Sequence, residues 1–131
     1  MKRYILQGTR VVEHKGSLKD WASVVCDIKN RRVALAENIC GYRISTVFMI
    51  TYYEYIRGKP LFFETMVFDI STDKAVDKYT RHWATWKEAA LGHYKVIKKV
   101  LGEHSFTIEK EQSSKKRKIK IRYEEKKNSN P

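Results

Sequence analysis

The segment from residue 42 to residue 68 constrains this chain more than any other. Residues 42–55 are dense in Ile, Thr, Val, Phe and Tyr, carry no helix cap, and have strong β propensity. Residues 56–60 read as a turn, in which Gly58 permits a left-handed backbone and Pro60 opens the next strand. Residues 61–68 alternate Leu61, Phe63, Thr65 and Val67 with Phe62, Glu64, Met66 and Phe68. Two such runs joined by a short turn predict an antiparallel hairpin. Because both faces carry apolar groups, the pattern places it in mid-sheet, covered on both sides, and a lone hairpin would not be stable.

Residues 32–39 read as a further strand, broken at Cys40 and Gly41. Residues 3–12 read as a strand interrupted by Gly8, and Leu18, Trp21, Ala22 and Val25 fall at helical spacing, which predicts a short helix over 18–24. Thr85 and Glu88 form a capping box that starts a helix over 86–101, with Gly102 as its stop. Trp86, Ala89, Ala90, His93, Ile97 and Val100 make its buried stripe, and Lys87, Lys95, Lys98 and Lys99 its outward face. Gly92 in mid-helix costs about 1 kcal/mol relative to Ala and predicts close packing against the sheet. Beyond it, residues 106–108 and 119–123 read as a basic hairpin. The fold class is therefore α+β: an antiparallel sheet of four to six strands carrying one main helix. Residues 1–102 form one domain, and residues 103–131 a basic strand and tail extension.

Charge bounds the function. The 131 residues hold 27 Lys and Arg against 15 Asp and Glu, a net charge of +12. Residues 103–131 hold only +4 of it, so the excess is spread over the body. An anionic partner is implied, either a nucleotide-like small molecule or nucleic acid. No apolar run approaches the length of a membrane span, and the N-terminus lacks the apolar stretch of a signal peptide, so a cytoplasmic setting with no membrane partner is expected. Cys26 and Cys40 are too few for a disulfide scaffold and read as small core hydrophobes. No phosphate loop, nucleophile elbow or zinc-protease motif is present, and the histidines lack metal-ligand spacing. No catalytic residue, metal or cofactor is assigned, and the chain is read as a non-enzyme.

Candidate binding residues cluster ahead of the main helix. Tyr79, Arg81, His82, Trp83 and Trp86 crowd its N-terminus, where free amides favour anions. Aromatic faces stack on bases, and Arg pairs with phosphate in a two-pronged geometry. Of these, Trp86 reads as core, whereas Tyr79, Arg81 and Trp83 read as ligand contacts. Tyr52 and Tyr53 near the end of the long strand, Arg43, and His93 on the helix stripe complete the set, although His93 also suits a neutral core imidazole. Glu64 needs a partner, for which Arg43 and Arg81 are candidates. For nucleic acid, Lys115, Lys116, Arg117, Lys118 and Lys120 form a phosphate-binding stripe, supported by the lysine face of the helix.

Three blocks carry a family resemblance: Arg43-Ile44-Ser45-Thr46-Val47-Phe48, then residues 60–68 with Phe63-Glu64-Thr65-Met66, then Tyr79-Thr80-Arg81 with Glu88-Ala89-Ala90-Leu91-Gly92-His93. Together they resemble a family of short bacteriophage-encoded proteins. Many members carry a Gly-rich turn and a histidine after the first block, where this chain has residues 49–55 without either. In outline the chain is also similar to phage anti-Thoeris sponges, which oligomerise and sequester cyclic ADP-ribose-type signals. The resemblance implies a phage-encoded, homo-oligomeric anti-defence protein that captures a nucleotide-type immune signal in the host cytoplasm.

Overall fold

The computed structural model describes residues 2–55 and 58–114. The elements run β1 (Tyr4–Gln7), β2 (Arg10–Glu13), α1 (Leu18–Val25), β3 (Arg32–Ile39), β4 (Tyr42–Tyr55), β5 (Lys59–Asp69), β6 (Lys74–Ala75), β7 (Arg81–Trp83) and α2 (Trp86–Ser114). The main sheet is five-stranded and antiparallel, with β3 beside β4 and β4 beside β5. β6 and β7 share the far edge of β5, one at each end: β6 pairs with Phe68 and Asp69, β7 with Phe63, Glu64 and Thr65. β1 and β2 form a separate two-stranded sheet. The protein is an α+β fold.

The β4–β5 hairpin forms where the β-branched and aromatic alternation demands it. Ile44, Thr46 and Phe48 on β4, with Phe63, Thr65 and Val67 on β5, are buried. The covering is unequal, however. α2 packs on one face, while on the opposite face of β5 Phe62, Glu64, Met66 and Phe68 are half-buried, with Tyr4 of β1 against the Phe62 ring. β3 turns into β4 through Cys40 and Gly41, both left-handed (φ 53° and 90°), a geometry that matches the twist of the flanking strands. Asn38 Oδ1 accepts from the Gly41 amide at 2.9 Å and holds this turn. Cys40 therefore belongs to a turn and Cys26 is exposed after α1, so neither thiol is the core residue its apolar neighbours suggest.

α2 begins at the expected place. Thr85 Oγ1 accepts from the Glu88 amide at 3.1 Å, and the Thr85 carbonyl accepts from Ala89 at 3.0 Å. Thr85→Ala should cost about 1 kcal/mol through the lost cap, seen as a lowered urea midpoint. Ala89, His93, Val96 and Val100 are the buried stripe. They close two core clusters, one on Ile44, Val67 and Tyr79, the other on Phe48 and Phe63. The helix does not stop at Gly102, which keeps a right-handed backbone. Residues 106–108 are consequently helical instead of extended, in a run whose Glu, Lys and Gln favour helix. The stripe at Lys115, Lys116, Arg117, Lys118 and Lys120, the strand at 119–123 and part of the 56–60 turn lie outside the described residues. No helix among the described residues is long and apolar enough to cross a membrane.

Candidate functional site

The long strand β4 is not regular. Its register with β5 runs unbroken from Tyr42 to Phe48, which opposes Phe63, and resumes at Tyr53 opposite Leu61. Four residues, Met49, Ile50, Thr51 and Tyr52, therefore stand against Phe62 alone. Such a bulge re-aims side chains that a regular pleat would alternate, and here all four line a cleft of about 360 Å³. The opposite wall comes from the N-terminus and α1: Lys2, Arg3, Tyr4 and Trp21, with Phe48 and Phe62 completing the lining.

The cleft is built from aromatic edges. Tyr4 packs against Phe62 (ring centroids 4.9 Å apart) and against Tyr52 (5.5 Å, 84° between planes). Tyr52 and Phe62 are 5.3 Å apart. Trp21 Nε1 donates to the Tyr4 carbonyl at 3.0 Å, which fixes α1 to β1 and sets the spacing of the two walls. The Arg3 guanidinium carbon lies 6.0 Å from the Trp21 ring centre, within cation–π range. Lys2 and Arg3 are the charged residues of the lining, both cationic. The volume lies at the small end of ligand pockets, which span roughly 300–1,000 Å³. Such a site holds a planar ring by its faces and edges and an anion at one rim. Its lining contributes no carboxylate, imidazole or thiol for proton transfer or metal ligation.

The residues singled out in the sequence are divided by the fold. Tyr52 is in the cleft. The side chain of Tyr53 lies outside the described residues. Tyr79 is 1% exposed and part of the core, and burial together with the nearby Glu103 carboxylate pushes its phenol up to about 12. It cannot stack on a ligand. Arg81 Nη1 donates to the carbonyls of Lys78 and Thr80, at 2.9 and 2.8 Å, and so braces the turn ahead of β7. Arg43 sits over the Phe68 ring at 4.9 Å, with Asp73 3.5 Å away. Glu64 is paired with neither arginine but with His82, whose Nε2 lies 2.9 Å from Oε2.

Trp83 and His93 are joined by a buried polar chain. Trp83 Nε1 donates to Thr65 Oγ1 (3.0 Å), Thr65 and Thr46 hydroxyls are 2.6 Å apart, and Thr46 Oγ1 is 2.7 Å from His93 Nδ1. An indole nitrogen only donates. The order that uses each hydroxyl proton therefore runs from Trp83 to Thr65 to Thr46, and Thr46 donates to a neutral His93. Thr46, Thr65 and His93 are each at most 3% exposed. Trp83 and His93 thus both carry structural hydrogen bonds. The network ties the sheet to α2 through Trp83 Nε1, the two threonine hydroxyls and His93 Nδ1.

Burial holds the His93 imidazole below its ordinary value of 6.5. The unfolded chain takes up that proton first. His93 therefore contributes stability that is whole above pH 6.5 and falls as the pH drops toward the folded value, by at most about 1.4 kcal/mol per pH unit. The urea midpoint should hold down to about pH 6.5 and decline below it, and less steeply in His93→Gln. Equal slopes in the two chains would show that His93 does not carry the effect.

Comparison of the chain with protein-family models, with curated proteins and with solved structures returns no match.

Of the cleft lining, sequence reasoning finds only Tyr52; it misses Lys2, Arg3, Tyr4, Trp21 and Phe62, and with them Phe48 and the bulge residues 49–51. Their signal is weak: an Arg3-Tyr4 pair near the N-terminus and a tryptophan in a short helix. Nothing local relates either to Tyr52.

Proposed function

We propose that the protein binds an anionic nucleotide-type ligand without transforming it. The base lies among Tyr4, Trp21, Tyr52 and Phe62, and the phosphate meets Lys2 and Arg3. One observation carries this reading: the cleft has aromatic walls, and every charge in its lining is positive. Aromatic faces are tolerant of any base, and cations at the rim select the charged ligand. In its full form the proposal is stoichiometric capture of a nucleotide immune signal by a phage-encoded homo-oligomer in the host cytoplasm, as the sequence resemblance implies.

Mass spectrometry of the supernatant from the purified, heat-denatured protein should recover a small nucleotide. In titrations with that nucleotide, Tyr52→Ala should lose about 1–3 kcal/mol of binding. Arg3→Lys, which keeps the charge but loses the planar fork, should weaken it too. Absence of any co-purified nucleotide, with no binding across a panel of mono- and cyclic nucleotides, would sink the reading.

A further inference from the structure

The outward face of α2 is built for something other than water. Leu91, Tyr94 and Leu101 are 56%, 64% and 37% exposed. Lys87 and Lys98 are exposed among them, and Lys95 is exposed at their flank. At 3.6 residues per turn, Lys87, Leu91, Tyr94, Lys98 and Leu101 form one stripe, on the side of the helix away from Ala89, His93, Val96 and Val100. A single exposed leucine needs no account. Three large apolar side chains interleaved with cations along about four turns do.

We propose that this face binds single-stranded nucleic acid, with the lysines on phosphates and Tyr94 stacked on a base. Three observations select that occupant. The Tyr94 ring is largely bare and is held edge-on by the His93 ring (centroids 5.9 Å apart, 85° between planes), which steadies it as a stacking platform. Charge complementarity points to a polyanion. The described acidic residues of the helix before residue 105 are Glu88 and Glu103, and Glu103 lies 3.8 Å from Lys78. The cations are also interleaved with the apolar groups. A helix lying on a membrane segregates the two, and a second copy packed in parallel would set Lys98 against Lys98. Stacking needs an unpaired base, so the strand is single. The cleft lining and this stripe share no residue, and the proposal does not depend on the cleft.

The test is fluorescence anisotropy on the full chain with a labelled oligo-dT of about 20 nucleotides, longer than one binding module usually covers. Tyr94→Ala should weaken binding by roughly 5- to 150-fold, and Tyr94→Phe, which keeps the ring, should not. Lys95→Gln and Lys98→Gln should each reduce the salt slope by about 0.7. Thermal unfolding should be unchanged in Tyr94→Phe, Lys95→Gln and Lys98→Gln, and Tyr94→Ala, which loses the His93 ring contact, should remain folded at the temperature of the titration. The proposal fails if Tyr94→Ala binds oligo-dT as the parent does. It also fails if duplex DNA or polyglutamate of equal length competes as well as the single strand. Tyr94-dependent binding to anionic phospholipid vesicles without binding to oligo-dT would assign the face to a membrane surface instead.

Discussion

Trp83→Ala is expected to lose about 3 kcal/mol of folding stability, the low end of the range for removing a packed tryptophan, because the ring is half-buried. Two losses combine. The indole packs against the core cluster built on Phe48, Phe63 and Ala89, and its Nε1 proton caps the Thr65–Thr46–His93 chain. A domain of this size holds roughly 5–15 kcal/mol in total, so the urea midpoint should fall by a large fraction. Trp83→Phe separates the terms: it keeps most of the apolar contact and loses only the donor, so its cost should be about 1 kcal/mol. A Trp83→Ala protein as stable as the parent would return Trp83 to the surface and reopen a ligand role for it.

The second large effect lies at the residue that Trp83 touches. Gly92 is buried on α2, and a Cβ there would fall well inside contact distance of the indole, 2.5 Å from Cη2 and nearer still to Cζ2 and Cε2. The ring cannot retreat, because Thr65 holds its nitrogen from the sheet side. Ala in place of Gly improves helix propensity by about 1 kcal/mol, but overpacking of a closed core costs up to about 3 kcal/mol. Gly92→Ala should therefore destabilise by about 2 kcal/mol. Gly102 supplies the internal control. It lies in the same helix, and a Cβ built there meets nothing within 4 Å. Gly102→Ala should raise stability by up to about 1 kcal/mol. Thermal melts of the two variants that shifted in the same direction would show that propensity and not packing decides.

These two glycines mark the boundary of what local sequence conveys. Gly92 is legible because a glycine in mid-helix, on the stripe facing a sheet, has a packing reason more often than none. Gly102 reads as a stop and is not one. A glycine ends a helix only when its backbone turns left-handed, and that choice depends on the residues beyond it. Here those residues continue the helix to Ser114. Trp83 and Trp86 look alike in sequence, and assigning one to a ligand and the other to the core has no local basis. Both pack against the same core cluster.

The sequence by itself determined the β4–β5 pairing, the start of α2 at Thr85 and the buried stripe around Ala89, His93 and Val100. These arise from alternation, from a cap and from helical periodicity, all of which act over a few residues. Only the tertiary structure decided the candidate site. The irregularity at Met49–Tyr52 is invisible in a run of uniformly β-prone residues, because bulge and pleat are equally allowed by propensity, and the difference is made by what the re-aimed side chains meet. Tyr52 meets Tyr4 across 48 positions of chain, and Tyr4 is placed by a hydrogen bond from Trp21. Contacts of that separation are selected by the packing of whole elements, so the aromatic walls and the two cations of the lining come together only once β1, α1 and the sheet have docked.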